Sequence, residues 1–489
     1  MRSKMMFAKF TLAVFILGGF SAGALALEAA GVLKRAQTAM GGDELKSIRY
    51  TYTGSEYVMG QSYRPGEEWP KWNFELKTLS INYETGAWSE ALNGNRTRDV
   101  MPPRGGGDPS GPRGVVNTRD GFAWVQFQQG AFPNAWTAAD RNHQLWISPH
   151  GIIKAAIRNN ASLQWQSKAG KSLAAVSFTE PGKFSATAYI NEDYLVERVE
   201  SRFPQTSYGE IASVTAYSDY KDFGPIKFPT RIQQSQGGFP TLDLAVKEVR
   251  PNDPVDITVP DNVRQAPVNP NLKAVKAAEG VWFIPGSHNS AAIEMKDHIV
   301  VVDAPLTTAY GTAVLAAARI AIPGKPIKYL INTHHHIDHA GGLRAAVAEG
   351  VTIVTQELSA PLYRRYFSAP RTLAPDELAA AKKKLLLKTV KDKLVLSDGS
   401  RNVEIHRIRG NGHADNLLMV YLPTEKLLIE PDAFTPPPPN ATLAPQNVPL
   451  AANLVENIDK LKLSVERIMP LHGPIVPLSE LYRAMGKTK

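Results

Sequence analysis

Between Ile327 and Gly350 the chain reads IKYLINTHHHIDHAGGLRAAVAEG: an apolar run, a histidine-rich loop, then a helix pattern. A run this continuously apolar cannot lie half exposed, so it belongs to a sheet covered on both faces. In such layered α/β structures chemistry collects on the loops at strand C-termini. Four of the 11 histidines crowd into this one loop beside an aspartate. Imidazoles pack poorly as core and carry little charge near pH 7. Metal binding is the natural reading, provided the rest of the chain supplies further ligands.

The same grammar extends from about residue 275 to the C-terminus. GVWFIPG, HIVVVDAP, VTIVTQ, NLLMVYLP and KLLIEPD read as apolar strands, and TAYGTAVLAAARIA as a helix between them. Strands alternating with helices imply buried sheets with helices outside. Residues 45–250 follow another period. SIRYTYTGSEY, WNFELKTLSINYETGAW, FSATAYINEDYLVERVESR and TLDLAVKEV alternate apolar and polar positions, as a mostly antiparallel sheet requires. Met101–Gly114 is too rich in glycine and proline for regular structure and reads as a long loop. GIIKAAI reads as a short helix. The aromatic set of Tyr50, Tyr52, Tyr57, Trp72, Phe74, Tyr83 and Trp88 should be core. A curved sheet with such a lining can also hold an apolar ligand. In strand pattern this half resembles the open sheets of periplasmic lipoprotein-carrier proteins.

Between the halves, PNDPVDITVPDNVRQAPVNP holds five prolines and reads as a connector or strap. At the other end, MRSKMMFAKFTLAVFILGGFSAGALA has the basic, apolar and Ala-x-Ala order of a secretory signal. The expected organisation is α+β: a signal over 1–26, a strand-rich domain over 27–250, a connector over 251–274 and a catalytic domain over 275–489. A cleaved signal leaves no other membrane-span pattern and implies a periplasmic or secreted protein. The chain has no cysteine, which excludes disulfides, thiolate ligands and a thiol nucleophile. Its formal charge of +9 includes Arg2, Lys4 and Lys9 of the signal. The remaining basic residues are scattered apart from AKKKLLLKTVKDK, read as a solvated helix face leading into a strand, so nucleic acid is not an expected partner.

Histidines two apart in extended chain point the same way, so His334 and His336 share a direction. Asp338 and His339 can then face a second position as the chain curls into the helix, while His335 and Ile337 point away. His413 stands just before an apolar strand, Asp432 just after one, and His472 in a short loop after another. Five histidines and two aspartates at strand edges would give each of two zinc ions enough ligands, with room for a bridging hydroxide. His143, His150 and His406 lack such companions and read as structural.

In the order THHHIDH, GHADN, EPDAF and LHG, these segments resemble the metallo-beta-lactamase fold superfamily over about residues 275–480. The resemblance implies an αββα sandwich with a dinuclear site at one edge. His334, His336 and His413 would hold one metal, Asp338, His339 and His472 the other, and Asp432 both. It also implies that Asp303 supports the site from behind. His288 and Asn416 are candidates for substrate contact. EPDAF departs from the pattern, since many members carry glycine before the aspartate.

Imidazole and carboxylate donors suit two Zn²⁺ ions, ahead of iron or manganese. The implied activity is hydrolysis of a small molecule, apolar ones among the candidates, by a metal-bridged hydroxide, with Asp338 orienting the nucleophile. Resemblance associates a bridging aspartate with lactonase, thioesterase and phosphodiesterase branches, which favours an ester- or lactone-type carbonyl. The alternatives are a beta-lactamase or other amide hydrolase, a sulfatase or phosphodiesterase, an iron-dependent redox enzyme, or an apolar-ligand binding protein with a vestigial metal site. The stiff segment Pro431–Pro445 starts at a ligand and is a candidate pocket wall. Nothing in the sequence fixes an oligomeric state.

Overall fold

A computed structural model describes residues 22–99, 104–107, 114–168, 170–205, 208–267 and 269–487. Most of the signal segment lies outside them, and a helix over Ala22–Ala39 spans the expected cleavage point after Ala26. Among the described residues no helix is long and apolar enough to cross a membrane.

The period-two half forms one antiparallel sheet of 13 strands. Its first strand, Ser47–Tyr57, lies next to the middle of the sheet, paired with Lys71–Asn82 on one side and with the central strand Phe239–Pro251 on the other. Thirteen strands exceed what a flat open sheet usually carries. Here the sheet wraps around two consecutive helices, Ala138–Ile147 and Pro149–Arg158. Leu145, Ile152, Tyr50, Trp88, Phe184 and Phe228 thereby share one core. The second helix is the expected one, but the first hides in the sequence because Arg141 and His143 occupy its buried face. His143 stacks on Phe203 at 4.3 Å and bonds to Ser201, and His150 stacks on Phe228 and bonds to the Met40 carbonyl. Both are core histidines.

The proline-rich segment is an ordered strap on this half. Arg49 pairs with Asp253, Asn82 donates to the Val255 carbonyl, and Arg119 donates to the Ile257 carbonyl. Ile257, Val259 and Val263 bury themselves against Ala87 and Trp124.

Beyond it stand two mixed sheets, one of seven strands and one of six. Val300, Ile331 and Val354 of the first pack against Ile405, Val420 and Ile429 of the second. The outer face of the first sheet is covered by helices Thr308–Ala321 and Leu343–Ala348, and that of the second by Val448–Lys460 and Leu478–Ala484. The order is therefore helix, sheet, sheet, helix, the expected αββα sandwich. One local reading is corrected. The helix before the lysine run spans only Glu377–Ala381, and Lys382 adopts a left-handed conformation that ends it. The lysines lie in the link to strand Leu387–Val390 rather than on a helix face.

Candidate metal centre

Four strands of the sandwich deliver their C-terminal ends to one edge. Asp303 follows Ile299–Val302, the histidine loop follows Ile327–Ile331, Asp432 follows Leu427–Glu430, and His472 follows Arg467–Pro470. Within each sheet the two strands run parallel, so their loops emerge side by side. His413 arrives at the same edge just ahead of strand Leu418–Leu422.

The histidine loop is held from behind by Asp303. Its carboxylate accepts from the Thr333 amide at 2.7 Å, the Thr333 hydroxyl at 2.7 Å and His339 Nδ1 at 2.7 Å. Asp303 itself sits at φ +57, which costs an L-residue about 1 kcal/mol and which these bonds offset. This is the supporting position expected for it. The loop closes into its helix at Gly341, where a Cβ would lie 2.0 Å from the Leu306 carbonyl oxygen. Only glycine permits that backbone approach.

Two groups of side chains result: His334 with His336 and His413, and Asp338 with His339, Asp432 and His472. Within each, the potential ligand atoms lie within 4.8 Å of one another. Asp432 stands between them. Its Oδ2 is 3.4 Å from His334 Nε2, 3.5 Å from His413 Nε2 and 2.8 Å from His339 Nε2, while Oδ1 is 3.1 Å from His472 Nε2. The missing glycine before Asp432 is compensated by Glu430. That buried carboxyl accepts from the amides of Ala433 and Phe434 and shapes the turn, and Asp432 needs no left-handed backbone.

The donor set fits a cation. His336 Nδ1 faces His413 Nε2 at 2.9 Å, and His339 Nε2 faces His472 Nε2 at 3.0 Å. His336 Nε2 donates to the Ser62 carbonyl at 2.9 Å, which leaves Nδ1 as a bare lone pair aimed at the cluster. Asp432 Oδ2 is buried without a well-formed hydrogen bond among three ring nitrogens. Burial and the neighbouring imidazoles hold His334 and His336 well below the usual histidine range. In His339 and His472 burial is instead outweighed by Asp432 and Asp338, which raise both, so a cation in the second group would displace protons from those two rings. Burial would raise Asp338, but the charge of His339 outweighs it and lowers that carboxyl to about 2. Both aspartates are thus anionic: Asp432 is also held low, by His413, His339 and His472 against its burial.

The strand-rich half reaches into this centre, which sequence reasoning missed. The turn after strand Ser47–Tyr57 lays Gln61 and Ser62 onto the histidine loop. Gln61 Nε2 donates to Asp338 Oδ1 at 2.8 Å, and Ser62 Oγ meets His335 Nε2 at 2.9 Å. Gly60 makes the approach possible: at φ +78, a Cβ there would lie 2.5 Å from the Ile337 side chain. Arg64 pairs with Asp415 at 2.8 Å, and the Gly105 amide donates to the Gly412 carbonyl. The only cue in the sequence is the glycine- and proline-bearing stretch YVMGQSYRPG, which marks a turn and nothing more.

His335 is turned from the cluster as expected, pinned between Ser62 and Asn416. This corrects the reading of Asn416. It is fully buried, its carbonyl oxygen faces His335 Nδ1 at 2.9 Å and its amide donates to Ser359, so nothing is left for a substrate. Ile337 likewise turns away, into the core of the strand-rich half. His288 stands at the rim, 3.8 Å from Asp338 Oδ2 and with its ring 4.9 Å from that of His472. Above the two groups opens a cleft of about 590 Å³, walled by Gln61, Tyr63 and Arg104 from one half and Phe434, Thr435 and Leu443 from the other. The segment beginning at Pro431 does wall the pocket.

Residues 283–430 match the metallo-beta-lactamase superfamily. A stretch of 150 residues is 27% identical to the alkyl/aryl-sulfatase BDS1 of Saccharomyces cerevisiae, covering 29% of this chain and 23% of that protein. The chain thus spans about a quarter of the length of that relative. Among solved structures, a metallo-beta-lactamase from Pontibacter korlensis is 21% identical, with a TM-score of 0.35, over 44% of this chain and 97% of the other. The stereoselective inverting sec-alkylsulfatase Pisa1 from Pseudomonas sp. is 17% identical, with a TM-score of 0.33, over 44% and 41%.

Proposed function

We propose that this chain, which carries a metallo-beta-lactamase superfamily domain at residues 283–430, is a dinuclear zinc hydrolase of ester- or lactone-type carbonyls, exported to the periplasm or secreted. The observation that carries the reading is Asp432, whose carboxylate faces His334 and His413 with one oxygen and His472 with the other. A structural zinc site is usually closed by four ligands and favours thiolates. Six nitrogen- and oxygen-donor side chains around a shared carboxylate, opening on a cleft, suit paired catalytic ions instead.

In this proposal His334, His336 and His413 hold one ion, Asp338, His339 and His472 the other, and Asp432 touches both. When bound, the ions supply Lewis acidity and lower the pKa of a water. The protein's own groups do the rest. Asp432 places a negative charge where two cations would otherwise repel. Gln61 fixes Oδ1 of Asp338, which leaves Oδ2 facing the cleft side of His339 and His472 at 3.7 and 3.6 Å. From there Asp338 can accept a proton from the attacking water and pass it to the leaving group. Asp303 keeps His339 oriented by its bond to Nδ1. His288, whose Nε2 is 3.8 Å from Asp338 Oδ2, is our candidate for substrate contact.

A second reading, hydrolysis of a sulfate ester, is favoured by the similarity to an alkyl/aryl-sulfatase. Metal analysis of the purified protein, followed by a panel of carboxylic esters, lactones, beta-lactams, alkyl sulfates and phosphodiesters, separates the readings. Two zinc ions with turnover of esters or lactones is the expected result. A protein with one ion or none, or one that turns over none of the panel, would sink the proposal.

A further inference from the structure

The strand-rich half contains a cavity that its own helices do not fill. Its two ten-residue helices, each about 15 Å long, and the helix Ala22–Ala39, which shares their core, leave part of the 13-stranded sheet uncovered. What remains is a void of about 540 Å³ walled by Tyr50, Trp72, Phe74, Leu79, Trp88 and Leu244, among others. Protein interiors are otherwise close-packed, and roughly 300–1,000 Å³ is the size of sites that take small molecules.

Most charged groups on this wall are paired within the protein, while Asp140 keeps one buried carboxylate oxygen without a hydrogen-bond partner. Lys77 is bridged by Glu56 at 2.5 Å and Glu90 at 2.9 Å, and the Tyr52 hydroxyl donates to Glu90. Arg141 donates to the carbonyls of Asn117 and Trp124. A ligand here meets a mainly aromatic and aliphatic surface interrupted by Gln144, Gln234, Thr215 and Thr241, which hydrogen-bond one another, and such a wall selects for a mainly apolar body.

Shape narrows the class further. The lining follows strand Ser47–Tyr57 from Tyr50 to Tyr57, a distance of about 24 Å at the rise of an antiparallel strand. A wall of that length suits an extended apolar chain. The lining includes Trp136, which is 41% exposed, and also Val58 and Ile337. Val58 also lines the metal cleft, and Ile337 stands in the chain between His336 and Asp338.

We infer that this cavity is a binding site for the unbranched apolar chain of an amphiphilic substrate whose polar, cleavable end lies in the metal cleft. The inference rests on the hydrolase reading for the role of the chain as part of a substrate, but not for its binding. It makes the substrate a long-chain ester or a chemically similar amphiphile rather than a compact polar molecule.

The test has two arms on the full-length, metal-loaded protein. Calorimetric titration with dodecanoate should give saturable one-to-one binding that persists after chelation of the metal. Affinity should rise several-fold per methylene through a series of shorter acids. Leu242→Trp and Val116→Trp, which project bulk into the cavity from half-buried positions, should each weaken dodecanoate at least tenfold while unfolding as cooperatively as the parent. In the second arm, KM for p-nitrophenyl esters should fall from butanoate to dodecanoate in the parent and stay flat in Leu242→Trp. Binding that vanishes with the metal, or that neither substitution changes, overturns the inference. So does a parent KM indifferent to chain length. If no ester is turned over, the hydrolase reading falls and the calorimetry alone decides the cavity.

Discussion

Replacing Gln61 by Met tests whether the strand-rich half tunes the metal centre. The substitution keeps the length and bulk that fill the space beside Gly106, where a Cβ would touch the Gln61 side chain. It removes one donor, the amide that bonds Asp338 Oδ1 at 2.8 Å. A hydrogen bond to a charged group contributes about 1.5–3 kcal/mol. With about 1.4 kcal/mol per factor of ten, the Asp338–His339–His472 site should bind its ion roughly 10- to 100-fold more weakly, the range seen when outer contacts of metal ligands are lost. The His334–His336–His413 site should change little, because its outer contact is the Ser62 backbone carbonyl, which the substitution leaves in place. Competition against a chromophoric chelator resolves two successive dissociation constants, and only one of them, that of the Asp338–His339–His472 site, should move. If both constants shift together, the turn acts by holding the domain rather than by orienting Asp338. If neither shifts, the Gln61 contact is incidental and the reasoning fails.

Asp432→Asn keeps the shape of the shared side chain but removes its charge; the second zinc should be lost and activity reduced by orders of magnitude, as metal content and turnover will report. Two ions retained with full activity would remove Asp432 from the bridge and reopen the beta-lactamase reading. His335→Ala should leave metal content intact yet destabilise the protein by about 1–3 kcal/mol, since it strips partners from buried Ser62 and Asn416; a loss of zinc at unchanged stability would contradict the placement of that ring. Burial lowers His143 to about 3 and His150 to about 4, so the folded state excludes protons that the unfolded chain binds near pH 6.5. Stability from each is fully present above pH 6.5 and is lost as the pH falls toward those values, by about 1.4 kcal/mol per pH unit. Urea midpoints from pH 7 to 4.5 should decline less steeply in His143→Gln, and an unchanged slope would refute the assignment. Export predicts a native N-terminus at Leu27, so a secreted chain retaining Met1 would contradict it.

What the sequence disclosed and what it withheld divide along the range of the interactions. The αββα half was legible because its signals are local: continuous apolar runs such as HIVVVDAP and IKYLINT can only be buried strands, and their ends fix where loops emerge. The histidine loop was legible for the same reason, since alternation over three residues decides that His334 and His336 converge while His335 diverges. The helix Ala138–Ile147 was not, because Arg141 and His143 are buried by bonds to partners far along the chain. The contacts of Gln61 and Ser62 span 277 and 273 residues, and no periodicity records a pairing of that separation. Glu430 was hidden for another reason: in EPDAF the departure is Pro431 in place of the expected glycine, and no periodicity shows that the buried carboxyl before it builds the turn by accepting the amides of Ala433 and Phe434. The consequence bears on domain organisation. Ile337, set between His336 and Asp338, packs in the core of the strand-rich half, and the turn of that half orients three side chains of the metal loop. Residues 27–255 expressed alone should still unfold cooperatively, since their core is otherwise their own. The sandwich alone should keep its fold but bind zinc more weakly, because what it loses is the outer support of His336 and Asp338 rather than any ligand. A sandwich fragment with undiminished affinity at both sites would show that the two halves are merely adjacent.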